Sequence, residues 1–125
     1  MQDVAHERFE YAFLNKNKTT MAKDTATGRN VCIKRWERGD FGAVNEIAVL
    51  TSLSCKGVPD FICSFEDDTN KYMAEEWIEG CTLEEYLADK RVICTSDAVE
   101  LVIQICSIIE DLHQSDEGYL HLDIK

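Results

Sequence analysis

The stretch Tyr72-Met73-Ala74-Glu75-Glu76-Trp77-Ile78-Glu79-Gly80-Cys81-Thr82-Leu83-Glu84-Glu85-Tyr86-Leu87 fixes the frame for the rest of the chain. Its first part, to about Ile78, reads as a strand. Gly80 supplies a flexible corner, because without a Cβ the backbone reaches conformations closed to other residues. Thr82 and Glu85, three residues apart, form a capping box in which hydroxyl and carboxylate satisfy backbone donors at the start of a helix.

Upstream, Phe61 to Phe65 reads as a partner strand, joined to Tyr72–Ile78 across the polar run Glu66-Asp67-Asp68-Thr69-Asn70-Lys71. Gly57 and Pro59 break the chain before it. An earlier hairpin pairs Thr19 to Lys23 with Asn30 to Trp36 around Thr25-Ala26-Thr27-Gly28-Arg29-Asn30, with Gly28 at the position of positive φ. Its second strand carries Val31-Cys32-Ile33-Lys34, an apolar run with a single lysine at its end. Between the hairpins, from Asp40 to Leu53, Val44, Ile47, Leu50 and Leu53 recur at helical spacing, and Glu46 lies beside that stripe on its core-facing edge. The expected fold class is α+β: an antiparallel sheet with one helix packed on it, followed by helices.

Downstream, Ser96 and Asp97 give start signals for a helix running to His113, with Val99, Val102, Ile105, Cys106, Ile109 and Leu112 on one face. Leu101, Ile103 and Ile108 widen that face, so the helix expects partners on several sides. The chain closes on His121-Leu122-Asp123-Ile124-Lys125.

The order of these pieces resembles the protein kinase family, Ser/Thr type, over about Phe9 to Lys125. A lysine strand is followed by a glutamate helix, a strand-corner-helix hinge, a long helix and H-x-D-x-K. Gly57-Val58-Pro59 and Phe65-Glu66-Asp67-Asp68 are most similar to bacterial members. The resemblance implies that residues 1–79 are the smaller lobe ending in the hinge, and residues 80–125 the first helices of the larger lobe as far as the catalytic loop. A complete domain of this kind is about twice as long as this chain.

The resemblance also implies roles. Lys34, held by Glu46, fixes the α- and β-phosphates of ATP, and the backbone around Glu76, Trp77 and Ile78 bonds the adenine. Asp123 orients the Ser or Thr hydroxyl of a protein substrate, Lys125 offsets charge near the γ-phosphate, and His121 braces the loop. The Mg2+ ligands of such an enzyme are expected after Lys125. No metal ligands are expected within these 125 residues, nor catalysis by them alone.

Three positions depart from the family pattern. The phosphate loop, normally rich in glycine, is here Phe13-Leu14-Asn15-Lys16-Asn17-Lys18-Thr19-Thr20-Met21, with none. Two readings stand side by side: a loop whose Asn15 and Asn17 tolerate positive φ and whose Lys16 and Lys18 approach phosphate, or a plain polar turn. Glu75 occupies a normally apolar place at the back of the adenine pocket, where a buried carboxylate needs a partner, with Lys34 as one candidate. Leu122 replaces the Arg that in many kinases clamps a phosphorylated activation loop. The alternative to an enzyme is a pseudokinase-like or truncated binding module that associates through its exposed helix.

Composition sets the outer bounds. Hydrophobic residues make up 45% of the chain, and 13 basic side chains face 24 acidic ones, for a net charge of −11. That charge opposes nucleic acid and anionic membranes as partners. No run approaches the roughly 20 apolar residues of a membrane span, and the N-terminus lacks the pattern of a secretory signal. Cys32, Cys55, Cys63, Cys81, Cys94 and Cys106 form no C-x-x-C and are expected to be buried free thiols in the cytoplasm. The wide apolar helix is expected to leave the isolated chain aggregation-prone, partly molten or oligomeric.

Overall fold

The computed structural model describes residues 7–11, 18–90, 92–122 and 124. Asp123, Lys125 and the loop residues Asn15, Lys16 and Asn17 lie outside the described residues. Five strands form one antiparallel sheet in the order β1-β2-β3-β5-β4: β1 (Phe9–Tyr11), β2 (Thr19–Asp24), β3 (Asn30–Glu37), β4 (Phe61–Glu66) and β5 (Asn70–Glu76). Helix α1 (Phe41–Ser52) makes the connection from β3 to β4 and packs against β4 and β5. Helices α2 (Leu83–Lys90) and α3 (Thr95–Gln114) follow.

Strand β3 sits at the centre, and its alternation sorts the sheet into two faces. Val31 and Ile33 point to one side, where Ala22, Ala74, Phe65, Tyr72 and Phe9 complete a buried cluster. The rings of Phe9 and Phe65 stack with centroids 5.6 Å apart, and those of Phe65 and Tyr72 at 5.0 Å. Asp24 is buried at the edge of this cluster and receives Arg8 in a two-pronged pair, Nε to Oδ1 at 2.8 Å and Nη2 to Oδ2 at 2.7 Å. The Arg8 guanidinium also lies 5.2 Å from the centroid of the Phe9 ring. Cys32 and Lys34 point to the opposite face.

Turn chemistry fixes the hairpins. Gly28 takes φ +72°, and its N–H donates to the Asp24 carbonyl at 2.7 Å. In the β4–β5 turn the Asp67 carboxylate accepts from the N–H groups of Thr69 and Asn70 and from the Tyr72 hydroxyl, at 2.8, 2.7 and 2.8 Å. Burial alone would push the Asp67 carboxyl up, but these donors hold it well below the usual carboxylate range.

The chain divides into two compact units, one of residues 1–53 and 59–78, the other of residues 54–58 and 79–125. In the second, the capping box forms: Glu85 Oε2 accepts from the Thr82 N–H at 2.7 Å, and the Thr82 hydroxyl accepts from the Glu85 N–H at 3.1 Å. Gly57 combines φ +88° with a close approach, since a Cβ there would lie 2.6 Å from the Ile108 side chain. On α3, Leu112 is buried, whereas Val99, Val102 and Ile103 are each more than half exposed.

Several expectations need correction. β1 is a strand that no periodicity announced, because three residues are too few and its structure comes from pairing with β2. β5 ends at Glu76, two residues before Ile78. On α1 it is Ala43 that is fully buried, while Val44 is 53% exposed; Ile47, Leu50 and Leu53 of the expected stripe are half-buried. Helix α3 starts one residue before Ser96 with Cys94 as its cap residue, and the Cys94 side chain makes no capping hydrogen bond. The cysteines are free but none is buried: Cys81, Cys94 and Cys106 are exposed and Cys32, Cys55 and Cys63 half-buried.

The Arg8 hydrogen bonds hold the Asp24 carboxyl down to about 2 against the opposing effect of burial. A depressed carboxyl stabilises the fold above its unfolded value, near 4, and loses that contribution as pH falls through its folded value. Wild-type protein is therefore expected to lose about 2 kcal/mol from this group between about pH 4 and pH 2. Asp24→Asn should be less stable at pH 7 and should show a shallower acid decline, read by urea denaturation with Trp36 and Trp77 fluorescence.

Candidate functional site

The face of the sheet opposite the aromatic cluster carries the polar constellation. Register places Cys32 opposite Glu75 and Lys34 opposite Met73, so the period-two alternation puts all four side chains on this side. Helix α1 covers it, starting where Asp40 accepts a hydrogen bond from the Gly42 N–H at 2.7 Å. Glu46 then lies one turn into the helix, within reach of the strand.

Lys34 joins two carboxylates from different elements. Its Nζ donates to Glu46 Oε1 at 2.5 Å and lies 3.1 Å from Glu75 Oε1. The two partners differ in environment: the Glu46 side chain is 38% exposed and that of Glu75 only 5%. Glu75 Oε2 is buried and has no hydrogen-bond partner among the described residues. One ammonium against two carboxylates leaves the trio with a surplus negative charge.

Ionisation at the trio follows from this packing. Burial works to lower the Lys34 pKa, but the hydrogen bond to Glu46 and the charge of Glu75 reverse it, and the ammonium is held above its ordinary value. Burial, reinforced by the Glu75 charge, pushes the Cys32 thiol up to about 11, which keeps it protonated and poorly nucleophilic at neutral pH.

The segment after β5 belongs to the same unit. The Glu76 N–H donates to the Asp60 carbonyl at 2.9 Å, and the Glu76 carboxylate accepts from the Asp60 N–H at 3.2 Å. Trp77 is half-buried and Ile78 is 59% exposed. In the helical unit, Leu122 takes φ +61°, a region that non-glycine residues seldom enter and that marks local strain. The structure thus brings Lys34, Glu46 and Glu75 together and sets Glu76, Trp77 and Ile78 at the end of β5. Among the described residues no group of three or more His, Cys, Asp and Glu side chains is placed to hold a metal ion.

The family model for the protein kinase domain matches residues 15–125. The chain belongs to the protein kinase family. It is 35% identical over 82 residues to myosin light chain kinase 3 of Danio rerio, an overlap covering 65% of this chain and 11% of that protein. It is 32% identical over 82 residues to the serine/threonine-protein kinase PknA of Nostoc sp., covering 64% of this chain and 14% of the relative. The kinase chain is thus similar to a small part of each. Its fold matches the crystal structure of Rad53 residues 1–466 in complex with AMP-PNP, with a TM-score of 0.78 and 23% identity, covering 97% of this chain and 34% of that one.

The sequence pattern singles out Lys34 and Glu46 directly. It points to Glu75 through a different signal, a carboxylate in a slot where the family is apolar. The nearness of the Cys32 thiol to Glu75 carries no such signal, because only strand register sets it.

Removing one member of a buried charge pair costs more than removing both, because the survivor stays desolvated. Lys34→Met, which leaves Glu75 buried without a cation, is expected to destabilise this kinase chain by about 2 kcal/mol, discounted for the partial exposure of the lysine. Glu46→Gln, at a half-exposed partner, should cost less than about 1 kcal/mol. The double variant Lys34→Met/Glu75→Met should recover most of the loss in urea denaturation.

Proposed function

We propose that the chain is the N-terminal part of an ATP-dependent protein serine/threonine kinase, which transfers the γ-phosphate of ATP to a Ser or Thr hydroxyl. The observation that carries this reading is the Lys34–Glu46 pair at 2.5 Å on the face of a kinase sheet. A lysine fixed by a helix glutamate is poised to meet the α- and β-phosphates. The names of the relatives, several of them serine/threonine kinases, support the class of acceptor, and the nucleotide analogue bound by Rad53 supports ATP as donor.

In this reading the backbone around Glu76, Trp77 and Ile78 meets the adenine. Residues 1–79 are the smaller lobe and residues 80–125 the beginning of the larger one. Asp123 orients the attacking hydroxyl and Lys125 offsets negative charge on the transferring group. When bound, Mg2+ would neutralise the phosphates. Its ligands are expected after Lys125. No described helix is long and apolar enough to cross a membrane.

A second reading, an interaction module, is favoured by the apolar surface of α3, where Val99, Val102 and Ile103 stand exposed. Such a surface promotes self-association in water. Sedimentation of the 125-residue chain at rising concentration is expected to show oligomers. A monomer with a cooperative melt at high concentration would count against this reading.

Lys34→Ala tests the principal reading. It is expected to weaken ATP binding to the chain by about tenfold or more, the scale of one charge-assisted contact to phosphate, and to leave adenosine binding unchanged, as read by calorimetry. An unaltered ATP affinity would show that this lysine does not meet the phosphates.

A further inference from the structure

The trio on the sheet face holds one carboxylate more than its lysine needs. Glu46 alone would neutralise Lys34, as its 2.5 Å contact shows, yet Glu75 approaches the same ammonium at 3.1 Å. Unlike Glu46, Glu75 has no route to solvent. It is 4% exposed, its Oε2 finds no hydrogen-bond partner among the described residues, and its place opposite Cys32 in the ladder fixes it to the sheet. Lys34 is the only cation within ion-pair distance of Glu75 among the described residues.

These facts set up a competition. An ammonium has three N–H donors, and here two of them face carboxylates. A phosphate that draws Lys34 toward itself pulls it from Glu75, whose buried charge then loses the cation that pairs with it. The surplus negative charge of the trio also repels the incoming anion directly. Resting on the assignment of Lys34 to the phosphates, we infer that Glu75 is an intramolecular competitor of the nucleotide's phosphates for Lys34, a positioning residue that holds the lysine back and keeps polyphosphate affinity low. The base and ribose do not enter this competition, so the effect is confined to phosphorylated ligands.

A ligand that binds only the fraction of molecules with a released lysine loses affinity in proportion to that fraction. Removing the competitor restores it. Calorimetry on the full chain with ATP and with adenosine should therefore show that Glu75→Gln and Glu75→Met each bind ATP about tenfold tighter than wild type, with adenosine affinity unchanged. The gain should vanish in Lys34→Ala/Glu75→Met. Glu75→Gln keeps the shape of the side chain and guards against a packing defect in Glu75→Met, and the circular dichroism of each variant reports its fold.

The inference is overturned if neither variant tightens ATP binding, or if adenosine gains as much as ATP, which would mark a change of pocket shape rather than a released lysine. If Lys34→Ala weakens ATP binding while the Glu75 variants leave it unaltered, the inference falls and the assignment of Lys34 stands. If Lys34→Ala binds ATP as well as wild type, the assignment falls and takes the inference with it. Absence of ATP binding in every variant overturns both.

Discussion

Antiparallel pairing of β3 with β5 is the constraint on which the rest depends. That ladder sets Cys32 opposite Glu75 and Lys34 opposite Met73, and a slip of one residue would turn the lysine into the aromatic cluster on the other side. The cluster explains why no slip occurs. Val31 and Ile33 must be buried with Ala74 and Tyr72, and apolar burial of this kind is worth on the order of 1.5–3 kcal/mol for each large side chain. Hydrophobic packing on one face thereby decides the electrostatics of the other.

The two faces also manage charge differently. On the cluster side, Asp24 receives a two-pronged guanidinium and further bonds from the Ala26 N–H and the Thr27 hydroxyl, at 3.0 Å each, so its oxygens are satisfied. On the α1 side, Glu75 shares a single ammonium with Glu46 and, among the described residues, keeps one oxygen without a hydrogen-bond partner. The first arrangement belongs to a structural lock. The second leaves a buried polar network incomplete among the described residues.

Much of this was legible in the sequence, for identifiable reasons. The hairpins, Gly28 at positive φ and the Thr82–Glu85 box were readable because local chemistry fixes them within a few residues. Lys34 and Glu46 were readable as a pair because their spacing joins a strand to a helix in an order shared with the protein kinase family. What escaped depends on contacts remote in sequence. β1 is held by its ladder with β2. That Ala43 is buried and Val44 exposed is set by how α1 seats on β4 and β5, which its own periodicity does not encode. The cysteines sit half-buried or exposed because the faces of α3 and the loops on which several of them lie are uncovered.

Gly57 gives the chain a temporal order as well as a spatial one. The segment 54–58 lies between α1 and β4 in sequence but belongs to the helical unit, where Gly57 touches the side chain of Ile108. During synthesis residue 57 leaves the ribosome well before residue 108, whereas the whole five-stranded sheet is complete by residue 76. The sheet can therefore form around a connection that has not yet met its own neighbour. Contacts of such long sequence separation close late, so in nascent chains halted between β5 and α3 the 54–58 connection is without its Ile108 contact.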